Sequence, residues 1–555
     1  MTPRLKPERT WNIFRPARRD RERAGGAQFL GATLRRFGPS WQAAPARRLI
    51  QACCLLLYCD LFFRVSWPYA ALLSGQVVAL KEWFPVELFL WLDPLVGLST
   101  AVAARWWNVA LIGTGVILGI GVIFPRAFCG YVCPLGTLID VFDFLVGKRI
   151  RPLGALKTTG WSNIRFYLLA GVLAAALGGV LLSGFVAAIP VLTRGLLFSA
   201  GNVQLGLVKN WGMVPPLAAA TWLSLALFIT VFLLGLLARR FWCRFVCPSG
   251  ALLSLPGLLR LNTRQVSSDR CIECGKCIEA CSFDAIQPDF GTRALNCTFC
   301  QTCGGVCPTE AISFVLVSAK APTTRPGART GQPVNRRVML GSVASGVISA
   351  FAVRSATAAQ RRPIRPPGSV AEDQFLDLCV RCEQCLKVCP GPVLQAAGLE
   401  YGFEALWTPV AVFPHAGCHQ NCNLCTEVCP TGAIAPLSLA RKRKTVMGIA
   451  SIDPKICLPH RGERECQLCF DECNAAGYRA IEMRPIHLAT GSVPEGALSP
   501  EEIEQMGRIR APFVKSDACV GCGLCEYRCH SVWVARQKLL SRSAVIVKPP
   551  ANAPA

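Results

Sequence analysis

The chain has 555 residues, more than one hydrophobic core ordinarily serves, so two or more domains are expected. Its formal net charge of +25 would ordinarily point to nucleic acid, but 24 of its 31 cysteines form six four-cysteine sets with iron–sulfur spacing. Their thiolates and six oxidised cluster cores bring the loaded charge to about +13, and much of the remaining Lys and Arg flanks apolar runs, so nucleic acid is not an expected partner.

Residues 1–48 are Arg-rich without a compact apolar pattern and read as a basic cytoplasmic tail. Residues 49–255 read as a four-helix membrane domain. Uncharged, largely apolar runs at 106–125, 166–193 and 212–238 are each long enough to cross roughly 30 Å of hydrocarbon. A fourth run, 49–80, is interrupted by Asp60 and Arg64, which at i, i+4 can neutralise each other. Lys148, Arg149, Arg151, Lys157 and Arg165 lie between the second and third runs, against Arg194 and Lys209 between the third and fourth, which puts the former loop in the cytoplasm.

This region contains a repeat: RAFCGYVCPLG at 126–136 aligns with RFWCRFVCPSG at 240–250 at a constant offset of 114 residues. Each copy follows the end of an apolar run, so Cys129, Cys133, Cys243 and Cys247 are expected to converge at the cytoplasmic boundary. A shared redox site, as a metal or a dithiol/disulfide couple, is preferred over four structural thiols. Cys53, Cys54 and Cys59 read as small apolar residues of a span.

Residues 256–318 read as a two-cluster ferredoxin domain with two C-x2-C-x2-C-x3-C motifs. In such motifs the fourth cysteine begins a helix and reaches the neighbouring cluster. Cys271, Cys274, Cys277 and Cys307 then form one ligand set, and Cys297, Cys300, Cys303 and Cys281 the other. Structural zinc is disfavoured because its Cys-x2-Cys pairs are separated by longer intervals.

Residues 319–370 form a linker containing NRRVMLG at 335–341, in which Arg337 is followed by 16 uncharged residues, 338–353, and then ATAA at 356–359. This reads as a twin-arginine-like export signal, retained as a fifth span, or as a short apolar linker; its length suits a signal better than a comfortable span, Arg354, Arg361, Arg362 and Arg365 beyond it oppose the positive-inside rule, and export is preferred. Residues 371–540 form a four-cluster ferredoxin domain. Its sets are Cys379, Cys382, Cys385 and Cys389; Cys418, Cys422, Cys425 and Cys429; Cys457, Cys466, Cys469 and Cys473; and Cys519, Cys522, Cys525 and Cys529. Exchange of fourth ligands is expected between first and fourth sets and between second and third. Residues 541–555 are Pro/Ala-rich and read as a disordered tail.

All five His lie in the C-terminal region (His415, His419, His460, His487 and His530), no Cys-x2-Cys-His occurs, and no nucleotide fingerprint stands out. Neither haem nor nucleotide is expected. The fold class is thus an α-helical membrane domain of four spans, or five with 338–353, joined to α+β bacterial-ferredoxin-like domains binding six [4Fe–4S] clusters.

Four spans, CGYVCP, CRFVCP and a following two-cluster ferredoxin resemble the NapH/MauN family of membrane quinol dehydrogenase components; RRLIQ from Arg47 and LDPLVGL from Leu92 add to the likeness. The part from Asn335 onward resembles the NapG/MauM ferredoxin-type proteins, so the chain looks like a fusion of the two. The resemblance implies a quinol dehydrogenase subunit of the bacterial inner membrane, multi-pass, with the C-terminal domain periplasmic. It would draw on the membrane quinol pool and pass electrons to a periplasmic cytochrome or reductase, such as the nitrate reductase pathway. Quinol oxidation releases protons, and Asp60 and Asp93 are the candidate acceptors. Asp60 has the alternative of pairing with Arg64, and Asp93 of capping the helix after Pro94. The rival reading is a FixG-like metal-reducing maturation factor.

Overall fold

The computed structural model describes residues 45–64, 85–107, 109–147, 163–208, 211, 214–215, 217–259, 261–316, 334–356, 362–486 and 509–550. The 1–44 part of the basic tail, the 65–80 part of the first apolar run, Lys148 to Lys157, Lys209, Arg361 and His487 lie outside them. The chain forms two compact units, one of residues 1–62, 88–195 and 225–352 and one of residues 63–87, 196–224 and 353–555.

In the first unit, helices α1 (Pro45–Arg64), α2 (Pro94–Ala104), α3 (Val109–Ile123) and α4 (Ile164–Leu177) are built from apolar runs. The α2 start is set by Asp93, whose side chain accepts a hydrogen bond from Leu95 N, with Pro94 in the first turn where its missing N–H costs nothing. A Cβ at Gly97 would overlap Thr114 Oγ1 and Ala110 O, so only glycine lets α2 and α3 touch backbone to backbone.

Two helices among the described residues, Ala219–Leu236 and Arg336–Val353, are long and apolar enough to cross a membrane. The four expected spans are therefore not all of that length. Helix α3 has 15 residues and rises about 22 Å, short of the hydrocarbon thickness. The 166–193 run is not one helix: α4 ends at Leu177, Gly179 takes φ 80°, and two short helices, Ser183–Val186 and Ala188–Leu196, follow. Adjacent glycines supply the break. Pro190 falls in the first turn of the second short helix, where it is tolerated.

The twin-arginine-like segment is a 21-residue helix, α5 (Arg336–Ala356), docked on α4. A Cβ at Gly346 would overlap Gly171 O, and one at Gly178 would lie 2.8 Å from Ala350 Cβ. Small residues on both helices thus bring the backbones together. Leu340, Ile348 and Phe351 on α5 are exposed.

The ferredoxin segment of this unit pairs β1 (Asn262–Val266) antiparallel with β2 (Ile312–Leu316), Arg264 opposite Phe314. Cys277, Cys303, Ile286, Ile312, Phe299 and Phe314 form its core.

The second unit carries three further antiparallel pairs: Leu394–Ala396 with Pro409–Ala411, Ile449–Ile452 with Val545–Lys548, and Ile481–Pro485 with Arg510–Val514. The Trp407 indole donates to Ala220 O at 2.8 Å, tying the 196–224 segment to the C-terminal region. The disordered tail expected over 541–555 is corrected for its described part, 541–550. Val545 and Val547 are buried in a strand paired with Ile449–Ile452, because a β-branched Val-Ile-Val run alternates into the core ahead of Pro549.

Candidate metal centres

Local backbone geometry explains how each cysteine loop closes. In the four sets with strict Cys-x2-Cys-x2-Cys spacing, the residues before and after the second cysteine are left-handed. These are Glu273 (φ 53°) and Gly275 (73°), Phe299 (54°) and Gln301 (56°), Arg381 (56°) and Glu383 (59°), and Gly521 (69°) and Gly523 (72°). Two such residues curl the chain round a concavity and turn successive N–H groups inward, a setting for an anionic group. In the two sets with a widened first interval, Asn423 and Gln467 after the second cysteine instead have φ of −128° and −127°. The longer loop there reaches round without the left-handed pair.

The thiols gather in fours. Cys297, Cys300, Cys303 and Cys281 line one cavity of about 380 Å³. Cys519, Cys522, Cys525 and Cys473 line one of about 360 Å³, and Cys457, Cys466, Cys469 and Cys529 one of about 350 Å³. Cys277 faces Cys307, in the loop of Cys271 and Cys274. Cys379, Cys382 and Cys385 face Cys429, and Cys389 faces Cys418 and Cys422, with Cys425 beside them. Fourth cysteines are therefore exchanged between first and second sets and between third and fourth, which corrects the expected outer and inner pairs. The reason is helix packing: Leu468–Ala475 lies against Leu524–Cys529 and Gln384–Val388 against Leu424–Glu427, so each helix delivers its terminal cysteine to its partner's loop.

These chambers fit [4Fe–4S] cores. Burial, with repulsion between neighbouring thiols, pushes Cys385, Cys425 and Cys525 well above the ordinary thiol range, a cost that an iron core's positive charge reverses. Backbone N–H groups already point at sulfur: Ala285 at Cys281 (3.2 Å), Ala311 at Cys307 (3.3 Å), Ile434 at Cys429 (3.4 Å) and Ala480 at Cys473 (3.3 Å). The Trp533 indole donates to Cys466 Sγ at 3.4 Å. Such donors stabilise thiolate and raise a cluster's potential.

The repeat cysteines Cys129, Cys133, Cys243 and Cys247 also share one cavity. Arg126 and Arg240, each opening a repeat, are buried and cross over: Arg126 Nη2 donates to Cys243 O at 3.1 Å, and Arg240 Nη1 to Cys129 O at 3.0 Å. Arg240 also pairs with Asp140 at 2.7 Å, and Asp140 accepts from Arg47 (3.2 Å) and Arg48 (2.9 Å) as well. Sequence reasoning passed over Asp140 and the two arginines, although the repeat alignment matched Arg126 with Arg240.

The two carboxylates considered as proton acceptors are far apart in character. Asp60 is exposed on α1. Asp93 is fully buried and accepts from Leu95 N (3.2 Å) and Ile189 N (3.5 Å), as a helix cap. Cys53 is exposed and Cys54 and Cys59 are half-buried on α1.

A cavity of the second unit, about 820 Å³ including space open to solvent, was not foreseen. One wall is Leu197, Phe198, Leu205 and Ala218; the other holds Lys387, Cys389 and Leu394, with Asn202, Gln204 and Gln395 as polar groups. Lys387 is buried and its ammonium lies 5.2 Å from the Phe63 ring centroid. A lysine between two cysteines of a cluster motif gives no sequence signal for a cavity wall.

Two family models, each described as a 4Fe-4S binding domain, match the chain, one at residues 106–152 and 220–264 and the other at 264–287. The chain is 32% identical over 218 residues to a methylamine utilization ferredoxin-type protein MauM of Methylobacillus flagellatus, covering 39% of this chain and 80% of the relative. It is 34% identical over 197 residues to ferredoxin-type protein NapG of Escherichia coli, covering 34% and 75%. A methylamine utilization ferredoxin-type protein MauN of Paracoccus denitrificans is 30% identical over 255 residues, covering 43% and 77%. No solved structure matches.

Proposed function

Because the chain belongs to the ferredoxin-type MauM/NapG family and to the MauN family, with 4Fe-4S binding domains, we propose that it is a fused, membrane-bound quinol dehydrogenase component. It oxidises quinol and relays the electrons through six [4Fe–4S] clusters to a periplasmic reductase pathway. The observation that carries this reading is the 820 Å³ cavity, an apolar space with a few polar groups whose wall includes Cys389. A quinol ring held there lies beside the Cys418, Cys422, Cys425 and Cys389 set, and Asn202, Gln204 and Gln395 are in place to orient its hydroxyls.

When bound, the clusters supply one-electron transfer, so the two electrons of a quinol leave in succession. The chain's own contribution is to bind and orient the quinol and to keep water from the thiol chambers. Helix α5 serves as an uncleaved span, since its small-residue face is engaged on α4. The C-terminal region then lies in the periplasm, where a cytochrome or reductase collects electrons.

The test is reduction of the clusters by quinol in proteoliposomes, followed by bleaching of their visible absorbance. Bleaching by quinol supports the reading. Failure with every quinol tried, together with metal-reductase activity, replaces it with the maturation factor.

A further inference from the structure

We propose that Cys129, Cys133, Cys243 and Cys247 are the ligands of a further [4Fe–4S] cluster, beyond the six sets described above, held between the two halves of the repeat. Their cavity measures about 360 Å³, against about 380, 360 and 350 Å³ for three of the four-thiol chambers of the ferredoxin regions. Like those, it is lined by four cysteines and mainly apolar groups otherwise.

The backbone at two of these cysteines matches that at the fourth cysteine of two ferredoxin-type sets. Cys133 (φ −62°, ψ 113°) and Cys247 (−65°, 112°) have the same extended conformation as Cys307 (−71°, 117°) and Cys389 (−65°, 119°). All four are followed by proline. Gly250 N–H donates to Cys247 Sγ at 3.4 Å, as Ala311 N–H does to Cys307. Cys129 and Cys243 each lie in a single π turn, Phe128–Val132 and Trp242–Val246, a local widening of the helix that occurs often at functional sites.

Charge supplies an independent reason. Arg126 is 0% exposed, forms no ion pair among the described residues, and its Nε has no hydrogen-bond partner there. Its Nη2 would lie 3.2 Å from a Cβ on Gly250, at the cavity wall. A buried guanidinium without a counter-charge is costly. Four thiolates round an oxidised cubane core carry about −2, which compensates it.

A single bare ion fits less well, since no three His, Cys, Asp or Glu among the described residues converge closely enough to hold one. Each family-model match for a 4Fe-4S binding domain in this part contains only two cysteines of the repeat, so one cluster requires both halves. The site adjoins the ferredoxin chamber of the same unit. The Phe283 ring, which lines the Cys281, Cys297, Cys300 and Cys303 cavity, lies under both Arg126 and Arg240, and Tyr131 OH donates to Phe299 O at 3.0 Å.

The experiment uses the full chain, purified without oxygen and loaded with iron and sulfide. Iron is counted and the reduced clusters are recorded by electron paramagnetic resonance for the parent, Cys129→Ala, Cys243→Ala and, as a control, Cys53→Ala. Both repeat variants are expected to lose the same resonance and about four irons per chain, with all other resonances kept. Cys53→Ala keeps everything. If an alanine variant fails to accumulate, Cys129→Ser, whose oxygen can hold iron, is expected to keep its iron and shift one resonance. Unchanged iron and spectra in the alanine variants, an unchanged spectrum in Cys129→Ser, or a native chain whose four thiols are freely alkylated or joined as disulfides, overturns the proposal. None of these readouts depends on quinol, so the site stands or falls apart from the activity.

Discussion

The guanidinium of Arg240 lies 4.5 Å from the Phe283 ring centroid while its Nε donates to Asp140 at 2.7 Å. One buried arginine thus joins the second repeat, the first repeat and the ferredoxin segment of the same unit.

Removing Asp140 leaves Arg240, Arg47 and Arg48 without their shared carboxylate. Asp140→Asn is expected to destabilise the chain by about 3–5 kcal/mol, because a buried charge loses its partner. Asp284→Asn, at a carboxylate 37% exposed and paired with Arg244 and Arg293, is expected to cost about 0–1 kcal/mol. Thermal unfolding of the detergent-solubilised chain compares the two. Equal melting points would show that the Asp140 cluster contributes no more than a surface pair.

Ligand exchange makes a prediction about which cysteines act together. Cys529→Ala and Cys466→Ala are expected to abolish one and the same cluster resonance, and Cys473→Ala and Cys519→Ala a second one. Were the outer and inner pairing correct, Cys529→Ala would instead disturb the set that begins at Cys379.

Filling the large cavity separates binding from cluster assembly. Leu205→Trp is expected to slow quinol-driven reduction about tenfold or more, with reduction by dithionite and the iron content unchanged. A variant that quinol reduces at the parent rate would move the quinol elsewhere.

Helix α5 is expected to stay attached. Cysteines placed at Gly178 and Ala350 should form a crosslink, and Gly346→Leu, which cannot keep contact with Gly171, should abolish it. The purified chain should also keep its full mass of 60.0 kDa. A product that starts after residue 356 would identify the segment as a removed signal.

The cysteine sets were legible in the sequence because their spacing is the geometry: two left-handed residues fit only a fixed interval, as at Arg381 and Glu383. The exchange of fourth ligands was not, since Cys473 and Cys529 are brought across by helix packing that spacing does not encode. The 166–193 run reads as one span because Gly178 and Gly179 do not lower hydropathy, yet they end the helix. The Val-Ile-Val strand at 545–547 was masked by the prolines and alanines around it. Asp140 belongs to no motif, and its role appears only once three arginines from distant positions surround it.

Arg126 holds the carbonyl of Cys243, and Arg240 holds that of Cys129. The two copies of the repeat are thereby interlocked like clasped hands, each completing the other. Because each grip crosses from one copy to the other, loss of either arginine frees a carbonyl of the opposite copy. The same arrangement means that a chain severed between the copies has to recover function through reunion of its pieces, not through either piece alone.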